Sequence, residues 1–223
     1  MLFVTFALPQ ESRDFRRAVR AAGARMGGEE IRVAHLGVGP VAAATSVTRL
    51  LSEKPRGLIC AGFAGGLDAR LKTADLLIAD NFSTPELRAR ALALTGQAPH
   101  RFFGTLVSRD APVESVAAKA ALAHETGALA VDMETAAVAQ ACRAAQMPLL
   151  AVRAISDPAS MALPVPFAEW FDLQRQRPRR FGLLKYLARH PDRVGPFADF
   201  LRGLAPARRA LTDFLGRFLQ HRA

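Results

Sequence analysis

Short apolar runs alternate with stretches of helical periodicity through most of this chain. "MLFVTFALP", "GLICAGFAGG", "DLLIAD" and "LLAVRAIS" are compact apolar segments bounded by Gly, Pro, Asn or Asp, the form a buried strand takes. The pattern predicts strands over residues 2–8, 31–38, 57–64, 75–81, 102–108, 128–133 and 149–155. Between them, apolar positions at helical spacing predict helices over 11–23, 41–53, 85–94, 113–124 and 134–146. Strands alternating with helices across Gly-marked turns imply an α/β fold, a three-layer α/β/α sandwich around a mixed, mainly parallel sheet. Ligands in such folds bind at the carboxyl ends of strands.

The pattern changes after Pro158. Pro164, Pro166, Pro178, Pro191, Pro196 and Pro206 cut the remainder into short pieces, among them "FGLLKYLARH", "FADFLRGL" and "ARRALTDFLGRFLQ". In the last piece Leu211, Phe214, Leu215, Phe218 and Leu219 share one helical face, leaving Arg208, Arg209 and Arg217 for the other. The expected organisation is a catalytic domain over 1–160 and a basic, amphipathic helical extension over 161–223, packed on or continuing that domain.

Charge sharpens this division. The chain of 223 residues carries a formal net charge of +10. Residues 174–223 hold twelve Lys and Arg against three Asp, whereas the preceding residues are close to neutral. The basicity therefore belongs to the tail, not to a nucleic-acid-binding body. No apolar run approaches the roughly 20 residues needed to span a bilayer. The opening segment lacks a basic leader and reads as a strand. Cys60 and Cys142 make neither a disulfide framework nor a zinc spacing, so a cytoplasmic protein is expected.

Three features could carry chemistry. In "HLGVGPVAA", Gly37-x-Gly39-x-x-Ala42 loosely matches a dinucleotide fingerprint. The acidic residue expected after the next strand is missing, so a tight turn letting backbone approach a ligand fits better. "AGFAGGLDARLKTADLLIAD" places Gly62, Phe63, Ala64, Gly65 and Gly66 after a buried strand, where exposed N–H groups suit an anion or a nucleophilic water. A turn needed only for backbone shape is the alternative. Carboxylates form the third feature. Asp132 and Glu134 flank Met133 at a strand end, so one can face a ligand while the other supports the helix start. Glu11, Glu134 and Asp157 each follow a predicted strand, which puts them at one edge of a parallel sheet. Three carboxylates converging beside a Gly-rich loop suit polarisation of a sugar–base bond.

"GVGPVAAA", "AGFAGGLDARLKTADLLIAD", "AVDMETAAVAQAC" and "VRAISDPA", in this order, resemble the nucleoside phosphorylase and nucleosidase superfamily. The likeness spans roughly residues 1–159 and is strongest to methylthioadenosine/S-adenosylhomocysteine nucleosidases. It implies ribose binding by Met133 and Glu134, and base binding by Ser156 and Asp157. Asp157 would donate a proton to purine N7, and Glu11 would orient the attacking water. It also implies a homodimer, with neither cofactor nor metal.

Three departures from the family pattern bear on the substrate. Phosphorolytic relatives hold phosphate with an arginine just before the Gly-rich turn, where this chain has "LICAGFAGG". Water is therefore the expected nucleophile; Arg109 and Arg153 remain candidates for an unconventional phosphate site. The excursion after "DLLIAD" is short, which should leave the sugar's 5′ side open. The basic tail either packs on the body or a partner subunit, or contacts the inner face of the membrane. An open 5′ side and such a tail resemble the hopanoid-associated branch, implying removal of adenine from adenosylhopane to leave ribosylhopane. The partner is thus a small-molecule or lipid-linked adenine nucleoside, with no nucleic acid. The alternatives are a methylthioadenosine, S-adenosylhomocysteine or futalosine-type nucleosidase, a phosphorylase, and a non-catalytic nucleoside-binding or membrane-associated scaffold.

Overall fold

The computed structural model describes residues 1–95 and 100–220. Its core is a mixed, mostly parallel sheet. The main path runs β2 (Arg25–Met26), β3 (Glu29–His35), β1 (Leu2–Phe6), β4 (Leu58–Gly66), β9 (Leu149–Asp157), β5 (Leu76–Ala79) and β6 (Arg101–Gly104). Two further strands, β7 (Leu106–Ser108) and β8 (Ala130–Asp132), pair with each other, and β8 joins the sheet at β4. The predicted strand over 102–108 is thus two strands, one pairing with β5 and the other with β8.

Period-two alternation explains the layers. Successive side chains on a strand face opposite sides. Phe3, Leu58, Cys60 and Leu149 face α2 (Pro40–Leu51) and α5 (Thr135–Ala144). Val4, Ile59, Ala61 and Leu150 face the other way, into a cluster with Phe15 of α1 (Arg13–Ala21) and the last helix. Helix α3 (Pro85–Thr95) packs on that same side, and α4 (Val116–Thr126) covers β8. The predicted α/β/α sandwich is the observed fold.

The last helix departs from expectation. α8 runs unbroken over Val194–Gln220, straight through Pro206, which was expected to separate two pieces. A mid-helix proline costs about 3 kcal/mol. Burying an apolar side chain returns about 1.5–3 kcal/mol each, and Leu211, Phe214, Leu215, Phe218 and Leu219 are all buried beyond it. Their face packs into the same core as Phe6, Phe15 and Val152. Between β9 and α8 lie a short helix α6 (Phe167–Trp170), a small hairpin of β10 (Phe171–Asp172) and β11 (Arg177–Pro178), and α7 (Arg180–Arg189). Among the described residues no helix is long and apolar enough to cross a membrane.

Candidate active site

A cleft of about 420 Å³ opens at the carboxyl ends of β1, β4 and β9 and holds Glu11, Glu134 and Asp157 together. The three reach it by different routes. Asp157 is the last residue of β9, and Glu11 sits in the turn between β1 and α1. Glu134 is the N-cap residue of α5, just after β8, which runs antiparallel to β4, pairing Gly65 with Val131 and Gly66 with Ala130. The expectation that parallel strands bring all three to one edge is corrected for Glu134: β8 runs back across the end of β4 and delivers it from the opposite direction.

The Gly-rich segment also needs correction. Residues 62–66 are not a loop with free N–H groups but the end of β4, which pairs with β9 from Leu58 to Gly65. Glycine is required there by close approach. A Cβ on Gly62 would lie 2.3 Å from Arg153 Nη1 and 3.0 Å from Glu11 Oε2. On Gly65 it would lie 3.1 Å from Asp157 Oδ2. Phe63, Ala64 and Gly65 line the cleft wall.

Glu11 Oε2 folds back on the strand end, accepting from the N–H of Ala7 (3.0 Å) and Leu8 (3.5 Å). Glu134 Oε1 accepts from Gly39 N–H at 2.8 Å. Gly39 and Gly37 both have positive φ (89° and 83°), so "GVGP" is the tight turn expected of it, brought against the cleft. Asp132 supports the start of α5: its carboxylate accepts from Thr135 N–H at 3.1 Å and from Ser108 Oγ at 2.5 Å. It also pairs with the buried Arg153 at 2.6 Å.

These charges cannot titrate independently. Burial raises Glu11 from 4.5 to about 7, against Arg153 and the two N–H bonds that lower it. Burial, then the charge of Asp132, raises Glu134 to about 8, with Arg153 and Gly39 N–H opposing. Burial alone would discharge Arg153, but the Asp132 carboxylate 2.6 Å away holds it charged, and the guanidinium also donates to Cys60 Sγ (3.3 Å) and Thr135 Oγ1 (2.7 Å). Asp132 pairs with the guanidinium, and burial brings both glutamates into the neutral range. Neither arginine kept as a candidate for an unconventional phosphate site is free for one. Arg153 is committed to Asp132 and Thr135, and Arg109 pairs with Glu125 at 2.8 Å, away from the cleft lining.

Asp157 has a partner that sequence reasoning missed. The Lys119 ammonium, fully buried, reaches its Oδ2 at 2.5 Å. It also donates to the carbonyls of Pro158 (2.9 Å) and Met161 (2.8 Å). The signal was present: Lys119, Leu122, Ala123 and Thr126 fall at i, i+3, i+4 and i+7, so the lysine lies on the inward face of α4. Burial pushes the Asp157 carboxyl up, while Lys119 and Ser156 pull it down. Ser156 Oγ lies 3.2 Å from the Ala64 carbonyl and 2.5 Å from Asp157 Oδ1. One hydroxyl proton cannot serve both acceptors. Given to Oδ1, it favours the ionised carboxylate, the sense in which Ser156 pulls the Asp157 carboxyl down.

Apolar groups make the rest of the cleft. Met133 packs in a cluster with Ala7, Val38 and Phe171, joined by Phe167 and Trp170, whose rings meet edge-on at 4.6 Å. Leu163, Leu183, Phe197, Phe200 and Leu204 extend this lining outward. This outer lining comes from α6, α7 and α8, and not from the segment after β5. Of the short segment after β5, α3 packs against α8 and does not line the cleft. Residues 96–99 of that segment lie outside the described residues.

The profile of the Phosphorylase superfamily matches residues 8–85 and 81–187. Among solved structures, 5′-methylthioadenosine/S-adenosylhomocysteine nucleosidase from S. pneumoniae, solved with a transition-state inhibitor, aligns over 98% of both chains at 21% identity, TM-score 0.72. Futalosine hydrolase of Helicobacter pylori aligns over 96% of both chains at 20% identity, TM-score 0.68. The Neisseria meningitidis nucleosidase in complex with methylthio-immucillin-A covers 96% of this chain and 98% of its own at 21% identity, TM-score 0.67. These structural alignments establish a shared fold, and the likeness continues past residue 159, where the four sequence motifs end.

Proposed function

The chain belongs to the phosphorylase superfamily, and from that membership and the side chains of the cleft we propose that it hydrolyses the N-glycosidic bond of a 5′-substituted adenosine, releasing adenine. The observation that carries the reading is the gathering of Glu11, Glu134 and Asp157 in one cleft, with the carboxyls of both glutamates titrating near neutrality. Cleavage develops positive charge on the sugar and negative charge on the base. Glu11 takes a proton from water as its oxygen bonds to C1′. The C1′–N9 bond breaks, and Asp157 protonates the base at N7. Glu134 accepts hydrogen bonds from the ribose hydroxyls beside Met133, and Ser156 holds Asp157 toward the base. Each positioned acid or base contributes typically about 10²–10⁴-fold.

Water is the nucleophile in this reading, because Arg153 and Arg109 are already paired. Product analysis with and without phosphate tests that point, since ribose-1-phosphate arises only by phosphorolysis. The apolar cleft supports an apolar 5′ substituent, and adenosylhopane is the preferred specific substrate, with peripheral membrane contact through the C-terminal helices. Two alternatives share the chemistry, since the S. pneumoniae structure is of a 5′-methylthioadenosine/S-adenosylhomocysteine nucleosidase and the H. pylori structure of a futalosine hydrolase. A panel of small and lipid-linked adenosines, scored for free adenine, separates them. Strong preference for methylthioadenosine would sink the lipid-linked proposal, and no adenine from any member would leave only a nucleoside-binding scaffold.

A further inference from the structure

Helix α7 has two faces with different fates. Leu183, Tyr186 and Leu187 pack inward with Phe197 and Phe200 of α8, in the cluster that walls the outer cleft. Phe181 and Leu184 point away, 86% and 64% exposed. The close approach of α6 fixes this orientation: a Cβ on Gly182 would lie 2.6 Å from the Glu169 carbonyl oxygen. Leu201 of α8 is 48% exposed and also lines the cleft, so the apolar lining runs out to the surface without interruption.

Charge around this apolar exit is predominantly positive, although Glu169 and Asp172 lie just before it. Residues 174–202 carry eight Lys and Arg against two Asp, and those two, Asp192 and Asp199, pair with Arg193 and Arg202. On the other rim, Gln10 lines both the cleft and a second concavity formed with Arg13, Arg16, Arg17 and Arg20. An exposed phenylalanine and leucine set among an excess of cations match the chemistry of an anionic lipid surface: apolar groups enter the acyl boundary while cations meet headgroups. The apolar face of α8 from Ala207 to Leu219 is consumed in the core and cannot serve.

We propose that α7, with Leu201 and the surrounding cations, docks the protein on an anionic bilayer with the mouth of the cleft toward the lipid. This deepens the apolar-substrate reading and rests on it for its purpose, since a lipid-linked nucleoside would then enter without crossing water. The experiment is flotation of the full-length protein with vesicles of phosphatidylcholine alone or mixed with an equal part of phosphatidylglycerol. Binding to the mixed vesicles only, weakened by salt, is expected. Phe181→Ser/Leu184→Ser should bind about tenfold more weakly while releasing adenine from soluble methylthioadenosine at the wild-type rate. Equal binding by the double variant, or none by the wild type, overturns the proposal. So does sedimentation showing a wild-type dimer that the double variant splits, because the face would then join two copies. Vesicle binding without any adenine release would uphold docking while removing the nucleosidase reading.

Discussion

Replacing Lys119 by Met should separate the contribution of this lysine to the fold from its effect on the acid. The ammonium is fully buried, bonds Asp157 Oδ2 at 2.5 Å and serves the carbonyls of Pro158 and Met161. Removing one partner of a buried ion pair costs about 3–5 kcal/mol, because the other charge is left without compensation. At about 2–4 °C per kcal/mol for a chain of this size, the melting temperature should fall by about 6–20 °C. Asp157 can escape part of this cost by keeping its proton. Lys119 lowers its pKa, so without the lysine the carboxyl stays protonated to higher pH. If Asp157 is the general acid, the alkaline limb of the pH–rate profile for adenine release moves upward in the variant. Lys119→Met/Asp157→Asn, which removes both charges, should regain much of the lost stability. A melting point within about 2 °C of wild type would refute the structural argument, the expected loss being several times larger. An unmoved alkaline limb would refute the assignment of that limb to Asp157.

Two other perturbations address the carboxylate cluster. Glu11 has a folded pKa of about 7 and Glu134 of about 8, each above an ordinary 4.5. The folded state therefore holds protons that the unfolded chain releases: the stability is fully present below about 4.5 and is lost as pH rises through about 7–8. The melting temperature should decline across that window, and Glu11→Gln and Glu134→Gln should each flatten the decline. A slope unchanged in both variants would contradict the placement of these protons. Gly62→Ala should cost at least about tenfold in adenine release, since its Cβ would displace Arg153 Nη1 from 2.3 Å. Full activity in that variant would show that the guanidinium can shift freely.

Much of the fold was written in period-two text. Phe3 against Val4 and Leu58 against Ile59 assign opposite faces without further information, and the layers follow. Glu11 and Asp157 were legible because each stands where an apolar strand gives way to a turn. The direction of β8 was not: three residues, Ala130–Asp132, carry a strand pattern that reads the same parallel or antiparallel. The Gly-rich run looked like a loop because small residues also mark turns. Here they answer the bulk of Arg153 and Asp157, which lie far along the chain. The tail was the hardest segment. A basic amphipathic helix has one pattern whether it lies on a sheet or on lipid, and only the structure shows Phe214 and Phe218 in the core with Phe181 outside it.

The central claim is hydrolytic release of adenine by Asp157-assisted departure of the base. Its most direct measurement is free adenine liberated from methylthioadenosine and a lipid-linked adenosine in phosphate-free buffer, wild type beside Asp157→Asn. Adenine should appear without phosphate from at least one of the two, and the variant should be slower by about 10²–10⁴-fold while melting cooperatively. Equal rates for the two proteins, or adenine only when phosphate is added, would contradict the account.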